Sequence, residues 1–305
     1  MSGTRVSPSE RAALERFTAT AESAASGVIR SYSTSFGLAS RLLGRRHRQH
    51  VRNVYAMVRI ADEIVDGVAA EAGLTLLDQQ AALAEYAEQT HRAMRTGYSS
   101  NIVLHAFART ARESGIGTDL TEPFFSSMRD DLGSADTSPA QLRTHDADSH
   151  ARYVYGSAEV VGLMCLRIFV RNSRVSQADD ATLLHGAKQL GAAFQNVNFL
   201  RDLADDTDRL RRGYLSSDGR LTPAQRDEWV LTIRQQLDDA DQSIPLLPRD
   251  CRAAVRSAHG LFAALTDRVA RTPIEVLYQQ RVRVPDAQKA AIAARALITT
   301  SLERS

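Results

Sequence analysis

The stretch QNVNFLRDLADDTDRLRRGY, residues Gln195–Tyr214, decides how the rest of the chain is interpreted. It carries two aspartates four residues apart, Asp202 and Asp206, and its apolar spacing predicts an α-helix. Residues at this spacing lie on one face of a helix, with Cβ atoms about 5–6 Å apart. Two like charges are therefore expected side by side, which costs about 0.2–0.5 kcal/mol on a solvated surface.

An earlier stretch, YAMVRIADEIVDG at Tyr55–Gly67, repeats this arrangement with Asp62 and Asp66. A single helical DxxxD pattern occurs often by chance and would indicate little. Two such pairs, each on a predicted helix, are less expected by chance than one pair and indicate a common function. The sequence therefore predicts two acidic helix faces.

Each acidic pair is accompanied by side chains that donate hydrogen bonds. Arg59 precedes Asp62 by three residues, and Asn198 precedes Asp202 by four, with Arg201 directly beside it. Donors of this kind bind phosphate oxygens. Oxygen ligands without Cys or His suit Mg²⁺, which binds through a few carboxylates together with substrate phosphates.

The composition is that of a globular protein without a dominant charge. The chain has 305 residues, of which 43% are hydrophobic and 24% charged, and its formal net charge is +2. This balance gives no overall attraction to nucleic acid, so no nucleic-acid partner is predicted. The two cysteines, Cys165 and Cys251, are isolated, which favours a reducing cytoplasm.

No targeting or membrane-spanning segment is predicted. The N-terminus lacks an apolar signal-peptide core. The longest apolar run, residues 160–170, contains Gly162 and Arg167, which are expected to break it short of the roughly 20 residues that a membrane-spanning helix needs. The predicted location is cytoplasmic, with a peripheral contact at the inner face of the membrane as a further expectation.

Helical periodicity runs through the chain and no alternating strand pattern interrupts it. Helices are predicted over residues 8–32, 74–96, 102–114 and 120–132, from 178 into the second acidic stretch, and from 224 onward with breaks at prolines. No linker, repeat, GxxxxGK[ST] or GxGxxG pattern is present. We predict an all-α fold in one domain, 1–305, with an N-terminal helical region over 1–32 and a catalytic core over about 33–285.

Three further segments each allow more than one interpretation. Ser33 and Ser35 could cap a helix or contact a diphosphate. The basic segment Arg45–His50 could be a solvated helix start, a patch for anionic lipid or nucleic acid, or a set of phosphate ligands. The small residues between Tyr153 and Met164 allow close approach of either another helix or a substrate.

Two acidic helices that face each other in a helical bundle can build a site between them. Mg²⁺ ions there would bridge the carboxylates to a diphosphate and stabilise the charge that develops when an allylic diphosphate ionises. The carbocation left behind needs an apolar cavity that excludes water. An interior rich in alanine and leucine can provide that cavity.

These stretches resemble motifs of the squalene and phytoene synthases. YAMVRIADEIVDG resembles the family pattern Y-x-x-x-R-x-x-D-[DE]-x-x-D. The second acidic stretch resembles Q-x-x-N-x-x-R-D-x-x-x-D followed by R-x-Y, here Arg212 and Tyr214. Tyr153–Gly162 is similar to Y-C-x-x-V-A-G-x-V-G, and Ser33–Phe36 to S-x-S-F. The resemblance extends over about residues 33–285.

The resemblance implies an isoprenoid-synthase bundle with a central cavity, and it assigns roles to individual residues. The implied Mg²⁺ ligands, with Mn²⁺ as an alternative metal, are Asp62, Asp66, Asn198, Asp202 and Asp206. The implied substrate-binding residues are Ser33, Ser35, Arg59, Gln195, Asn198, Arg201, Arg212 and Tyr214. Tyr55 and Tyr153 would line the reacting centre beside the four catalytic aspartates.

The implied reaction is the head-to-head condensation of two prenyl diphosphates through a cyclopropylcarbinyl diphosphate. Small residues at Ala39 and Ser40, and the stretch TPIEVLYQQRVRVPDAQKAA at Thr272–Ala291, favour geranylgeranyl diphosphate and phytoene, with NADPH not expected. Squalene or dehydrosqualene synthesis from farnesyl diphosphate is the alternative. A non-catalytic member of the family is a further one, although all four aspartates are present.

Three positions depart from the family pattern. Glu63 replaces the more usual Asp, Glu159 stands where Gly is usual, and Ser216 stands where Pro is usual. None removes an expected metal ligand. Glu159 is expected to alter the cavity wall.

Overall fold

The structure is a computed structural model, and it describes residues 8–133, 143–144, 146–204, 212–213, 215 and 220–303. The described residues form helices almost throughout, which confirms the all-α prediction. The helices are α1 Pro8–Tyr32, α2 Thr34–Arg41, α3 Arg45–Asp66, α4 Val68–Glu71, α5 Leu76–Thr96, α6 Ile102–Ser114, α7 Thr118–Leu132, α8 Ala147–Val154, α9 Val160–Val170, α10 Gln177–Arg201, α11 Pro223–Ser243, α12 Arg249–Arg271, α13 Ile274–Leu277 and α14 Asp286–Leu302.

Short non-α segments complete the described fold. A π-helical turn, Tyr155–Glu159, joins α8 to α9, and a 3₁₀ turn, Ile244–Leu246, precedes α12. Two strands of two residues each, β1 Arg143–Thr144 and β2 Arg212–Gly213, pair in parallel. This bridge was not predicted, because two residues are too few to show an alternating pattern.

Local signals explain where several helices begin and end. The Thr75 hydroxyl accepts a hydrogen bond from the backbone N–H of Asp78, and the Asp78 carboxylate accepts one from the N–H of Thr75, which starts α5. Gly97 ends α5 with a φ of 79°, a left-handed conformation that glycine adopts without strain. Thr222 and Gln225 form an equivalent box at the start of α11.

Helices α8 and α9 and the π turn between them run without a break from Ala147 to Val170. The expectation that no stretch here reaches the length of a membrane-spanning helix is therefore wrong, because the apolar run 160–170 lies inside this longer helix. The helix has 24 residues and is long and apolar enough to cross a membrane, but 56% of its most apolar window is buried in the protein. It packs against α7 and α10, as a core helix does.

Glycines allow this helix to approach its neighbours closely. A Cβ atom on Gly156 would collide with the Ser127 hydroxyl and the Pro123 carbonyl, and one on Gly162 would collide with the Ala187 carbonyl. Close helix packing was one of the two interpretations of this segment, and the structure confirms it.

The core has two large apolar clusters, which both border a cavity, and a smaller cluster between α1, α3 and α6. One cluster joins α3, α5, α6, α7 and α9, and its members include Met57, Leu83, Phe107, Phe125 and Met164. The other joins α10, α11 and α12, and its members include Val197, Leu200, Ile233, Leu237 and Leu265. Side chains of both clusters line the cavity.

Candidate active site

The cavity has a volume of about 1120 Å³ and receives one face from each acidic helix. Helix α3 contributes side chains at a spacing of three or four residues: Tyr55, Arg59, Asp62 and Asp66. The end of α10 contributes Gln195, Asn198 and Arg201 in the same way, and Asp202 directly follows that helix. Helical periodicity therefore places both predicted motifs in one cavity.

The structure places other predicted residues at the same cavity and leaves some undescribed. Ser33 and Tyr153 also line it. Asp206 and Tyr214 lie outside the described residues, as do the side chains of Ser35 and Arg212. The backbone of Arg212 lies in β2, opposite Arg143.

Carboxylates gather around Asp62. Burial raises the pKa of the Asp62 carboxyl well above its usual range, and the charge of Asp66 raises it further, while Arg59 acts in the opposite direction. Asp131 and Glu63 are smaller contributors that also raise this pKa. A cation bound here would relieve this repulsion, because opposite charge favours the ionised carboxylates.

Asp131 belongs to this group, although the sequence suggested only that it could end a helix. Its side chain lies at the end of α7, is 6% exposed and lines the cavity. The Tyr153 hydroxyl donates a 2.6 Å hydrogen bond to its Oδ2 atom. The acidic pair Asp130-Asp131 in the sequence was the only signal that could have indicated it.

Arg59 is held at the cavity by one contact within α3 and one with the end of α1. It forms an ion pair with Glu63, and its guanidinium lies 4.5 Å from the ring centre of Tyr32. Glu63 is thus the partner of Arg59 and does not line the cavity.

Ser33 has two roles at the start of α2. Its hydroxyl accepts a 3.0 Å hydrogen bond from the backbone N–H of Phe36, which confirms the helix-cap interpretation. Burial raises the pKa of the Tyr55 hydroxyl, an effect opposed by Arg59 and by a hydrogen bond with Ser33. Ser33, Tyr55 and Arg59 therefore form one polar part of the wall.

Asp202 lies between two arginines. Arg201 Nε is 2.8 Å from Asp202 Oδ1, and Arg281 Nε is also 2.8 Å from that oxygen. Each guanidinium has five N–H groups, so both can bind further oxygens beside the carboxylate. No role was predicted for Arg281, because its partner lies 79 residues away in the chain.

The oxygen donors around the cavity fit a divalent metal ion. The carboxylates of Asp62, Asp66 and Asp202 are hard ligands that suit Mg²⁺ or Mn²⁺. Asn198 Oδ1 is buried and accepts no hydrogen bond from the described residues. A buried oxygen in this state is costly, and a metal ligand is one of the roles that explain it.

The rest of the cavity is mainly apolar and aromatic. The rings of Phe194 and Phe262 stack with centres 3.7 Å apart, and Phe36 packs against both. Ala39 and Ser40 line the cavity too, which confirms that their face of α2 points inward. This wall can hold a hydrocarbon chain and exclude water.

Glu159 lies outside the cavity lining, contrary to the expectation that it alters the wall. The lining at this turn comes from Ser157, Ala158, Val161 and Gly162, so the segment faces the cavity as well as packing against helices. That it contacts a substrate stays a prediction. Burial raises the pKa of the Glu159 carboxyl, and Lys188 opposes this effect.

The basic segment Arg45–His50 does not line the cavity. His47 and His50 are buried, and Arg46 Nε is 2.7 Å from Asp250 Oδ2. Arg48 donates to the backbone carbonyls of Arg41 and Leu43 at 2.8 Å. The interpretation as phosphate ligands of the cavity is therefore wrong.

The fold and the cavity define an all-α protein of the isoprenoid-synthase type, with two acidic helices facing an apolar interior. Residues 29–222 match the squalene/phytoene synthase family, and the chain belongs to that family. It is therefore a transferase of a family that condenses prenyl diphosphates head to head.

Relatives of known name agree with this assignment. The chain is 29% identical to a phytoene synthase of Pseudescherichia vulneris over 259 residues, which cover 78% of each chain. It is 28% identical to a phytoene synthase of Rhodobacter capsulatus over 264 residues, 80% of this chain and 71% of the relative. Phytoene synthase 3 of Zea mays is 26% identical to this chain. The matched region covers 86% of this chain and 62% of that longer protein.

Solved structures share the fold at lower identity. A dehydrosqualene synthase superposes with a TM-score of 0.74 and 21% identity, over 95% of this chain and 98% of the other. A squalene synthase of Alicyclobacillus acidocaldarius superposes with a TM-score of 0.64 and 18% identity, over 87% and 97% of the two chains. At these identities the likeness shows the fold alone.

Proposed function

We propose that the chain condenses two molecules of geranylgeranyl diphosphate to phytoene through prephytoene diphosphate, with release of diphosphate, as a step of carotenoid biosynthesis. The observation that carries this proposal is the small residues Ala39 and Ser40 in the wall of a 1120 Å³ cavity. Such a volume exceeds the roughly 300–1,000 Å³ of most small-molecule pockets, which suits two long prenyl chains.

The polar side of the cavity would bind the diphosphates. Arg201 and Arg281 would donate to diphosphate oxygens from the two sides of Asp202, and Arg59 would add a third guanidinium. Mg²⁺, or Mn²⁺ in its place, would be held by Asp62, Asp66, Asn198, Asp202 and Asp206, and when bound it would neutralise the charge of the leaving diphosphate.

The remaining residues would control the cation that forms. The aromatic wall of Phe36, Phe194 and Phe262 would exclude water, which would otherwise capture the cation. Ring faces carry negative potential and attract cations, so the same wall would stabilise it. Tyr55 and Tyr153 would face the reacting carbons, and loss of a proton without hydride transfer would give phytoene, so NADPH is not part of the proposal.

A synthase that joins two farnesyl diphosphates to squalene or dehydrosqualene is the second candidate. The same fold can carry it, since a dehydrosqualene synthase shares this fold over 95% of this chain with a TM-score of 0.74. The two candidates differ in the length of the prenyl chain that the apolar part of the cavity holds.

Product analysis distinguishes the candidates. Purified protein with Mg²⁺ is given farnesyl or geranylgeranyl diphosphate, each with and without NADPH. We expect a C40 hydrocarbon from geranylgeranyl diphosphate that is independent of NADPH. A C30 product alone would support the second candidate, and no product from either substrate would support a non-catalytic family member.

A matched variant tests the metal assignment. Asp206→Ala is expected to abolish turnover while the circular dichroism spectrum stays unchanged, and Asp148→Ala, an exposed aspartate of α8, is expected to retain activity. Unchanged turnover of Asp206→Ala would overturn the assignment of Asp206.

A further inference from the structure

Arginines from three helices gather at one end of the bundle. The end of α1, the end of α2 and the start of α3 contribute them. We call the following five residues the arginine cluster: Arg30, Arg41, Arg45, Arg48 and Arg52.

No member of the arginine cluster forms an ion pair with any carboxylate that the structure describes. The guanidinium of Arg48 donates instead to backbone carbonyls at the end of α2. Arg52 Nε is buried and donates to no described atom. Burial lowers the pKa of Arg52, and the charges of Arg48, Arg30 and Arg41 lower it further.

Such crowding of like charges is unfavourable until an anion approaches. The whole chain carries a formal net charge of only +2, so these positive charges are balanced elsewhere in the molecule. The positive electrostatic potential of the arginine cluster is therefore local, and it would attract an anionic surface to this end of the protein.

Exposed apolar side chains lie beside the arginine cluster. Arg46, at the start of α3, binds Asp250 at the start of α12, and the neighbouring Arg249 donates to the Ser301 carbonyl near the end of α14 at 3.2 Å. The exposed fractions at this junction are 40% for Leu246, 59% for Ile298 and 77% for Leu302.

The carboxylates at this junction are already neutralised. Asp250 is bound by Arg46, and Glu303 forms ion pairs with Arg252 and Arg256. The junction therefore adds apolar area to the arginine cluster without adding free negative charge from these two groups.

We propose that the arginine cluster, together with Leu246, Ile298 and Leu302, docks the protein on an anionic lipid bilayer. The guanidinium groups bind lipid phosphates, and the leucine and isoleucine side chains enter the headgroup region. Nucleic acid would bind the arginines alone and would leave the apolar side chains in water. A bilayer binds both the arginines and the apolar side chains, so it is the partner that fits this surface.

Docking at this end also brings the cavity close to the bilayer. Leu43 and Leu247 line the cavity, and each is adjacent in sequence or structure to the docking residues. The docking surface therefore adjoins the apolar wall of the cavity at Leu43 and Leu247.

Vesicle co-sedimentation tests the proposal with the full chain. Vesicles of phosphatidylcholine alone are compared with vesicles that also contain phosphatidylglycerol, at low and high salt. We expect binding only to the anionic vesicles, weakened by salt. Each basic residue at such a surface contributes roughly five-fold in affinity, so Arg41→Gln, Arg45→Gln and Arg52→Gln together should weaken binding roughly 100-fold.

A control variant of equal charge separates docking from bulk electrostatics. It carries Arg16→Gln, Arg234→Gln and Arg271→Gln, three exposed positions on α1, α11 and α12 away from the arginine cluster. This control should bind nearly as well as the unaltered protein. Equal loss in both triple variants would overturn the proposal.

The apolar residues have a test of their own. Ile298→Ser with Leu302→Ser should reduce the binding that remains at high salt, whereas Leu231→Ser, which is 64% exposed on α11, should not. Circular dichroism of every variant confirms that it is folded. Equal binding to neutral vesicles, binding to RNA without binding to vesicles, or no vesicle binding at all would each overturn the proposal.

Discussion

The hydroxyl of Tyr153 donates a 2.6 Å hydrogen bond to Oδ2 of Asp131, and both side chains are buried at the cavity wall. The two residues come from different helices, α8 and α7, so the bond fixes how those helices meet beside Asp62. It also orients the tyrosine that the family motif assigns to the reacting centre.

Removal of this hydroxyl should cost both stability and turnover. Tyr153→Phe leaves the buried Asp131 with one donor fewer, so we expect a loss of about 1–3 kcal/mol in the free energy of unfolding. Urea denaturation measures the loss, and product formation measures the turnover. Tyr98→Phe is the control, because Tyr98 is 56% exposed. A stable and fully active Tyr153→Phe would contradict the assignment.

Asp62→Asn should stabilise the metal-free protein at neutral pH while abolishing turnover. Burial and the charge of Asp66 raise the folded-state pKa of Asp62 well above its usual range, so its ionised form destabilises the fold. Asparagine removes that charge. The gain should be full above the folded-state pKa, shrink as the pH falls below it, and vanish near the unfolded-state pKa of about 3.9, where aspartate is protonated in both states.

Thermal unfolding with and without Mg²⁺ and diphosphate checks this prediction. Ligands that bind only the folded state raise the melting temperature. The unaltered protein should gain stability with both ligands, and Asp62→Asn should gain less. Glu71→Gln, an exposed position on α4, should behave like the unaltered protein. An equal gain in Asp62→Asn would argue against a metal at this carboxylate.

The sequence predicted the local features of the fold well. The bounds of α6, Ile102–Ser114, are those predicted, and α5 begins two residues after the predicted start. Capping residues and apolar spacing act within a few positions of the chain, so both can be read locally. The assignment of residues 1–305 to one domain stays a prediction.

Features that depend on partners distant in sequence were missed. Asp131 and Arg281 carry no local pattern, and only the packing of α7 and of the chain before α14 brings them to Tyr153 and Asp202. Gly162 was predicted to allow close approach, but the group that approaches it could not be predicted. It is the Ala187 carbonyl, which leaves no room for a Cβ atom.

Gly162→Ala should destabilise the fold by more than an ordinary helical substitution. Its added Cβ would collide with the Ala187 carbonyl, so α9 and α10 would have to separate, at a cost of about 1–3 kcal/mol. Gly27→Ala in α1 is the matched control, because the nearest side-chain atom to its Cβ is 3.9 Å away. Alanine should stabilise that helix by about 0.5–1 kcal/mol. Urea denaturation of both variants should show a lower free energy of unfolding for Gly162→Ala and a higher one for Gly27→Ala.

Ser40→Phe should shift the choice of substrate. Ser40 is 3% exposed, lines the cavity, and its hydroxyl donates a 3.0 Å hydrogen bond to the Gly37 carbonyl. A phenyl ring at this position would fill space that the longer prenyl chain is proposed to occupy. We expect turnover of geranylgeranyl diphosphate to fall at least tenfold, with a smaller fall for farnesyl diphosphate, since the shorter chain needs less of the cavity.

Competition between the two substrates measures this shift directly. The ratio of C40 to C30 product from an equimolar mixture should fall in Ser40→Phe and stay unchanged in Ser40→Ala, which keeps the wall small. Thermal unfolding of both variants shows whether the ring is accommodated, because overpacking would lower stability. An unchanged product ratio in a folded Ser40→Phe would mean that the prenyl chains do not reach this part of α2, and chain length would then have to be limited elsewhere in the cavity.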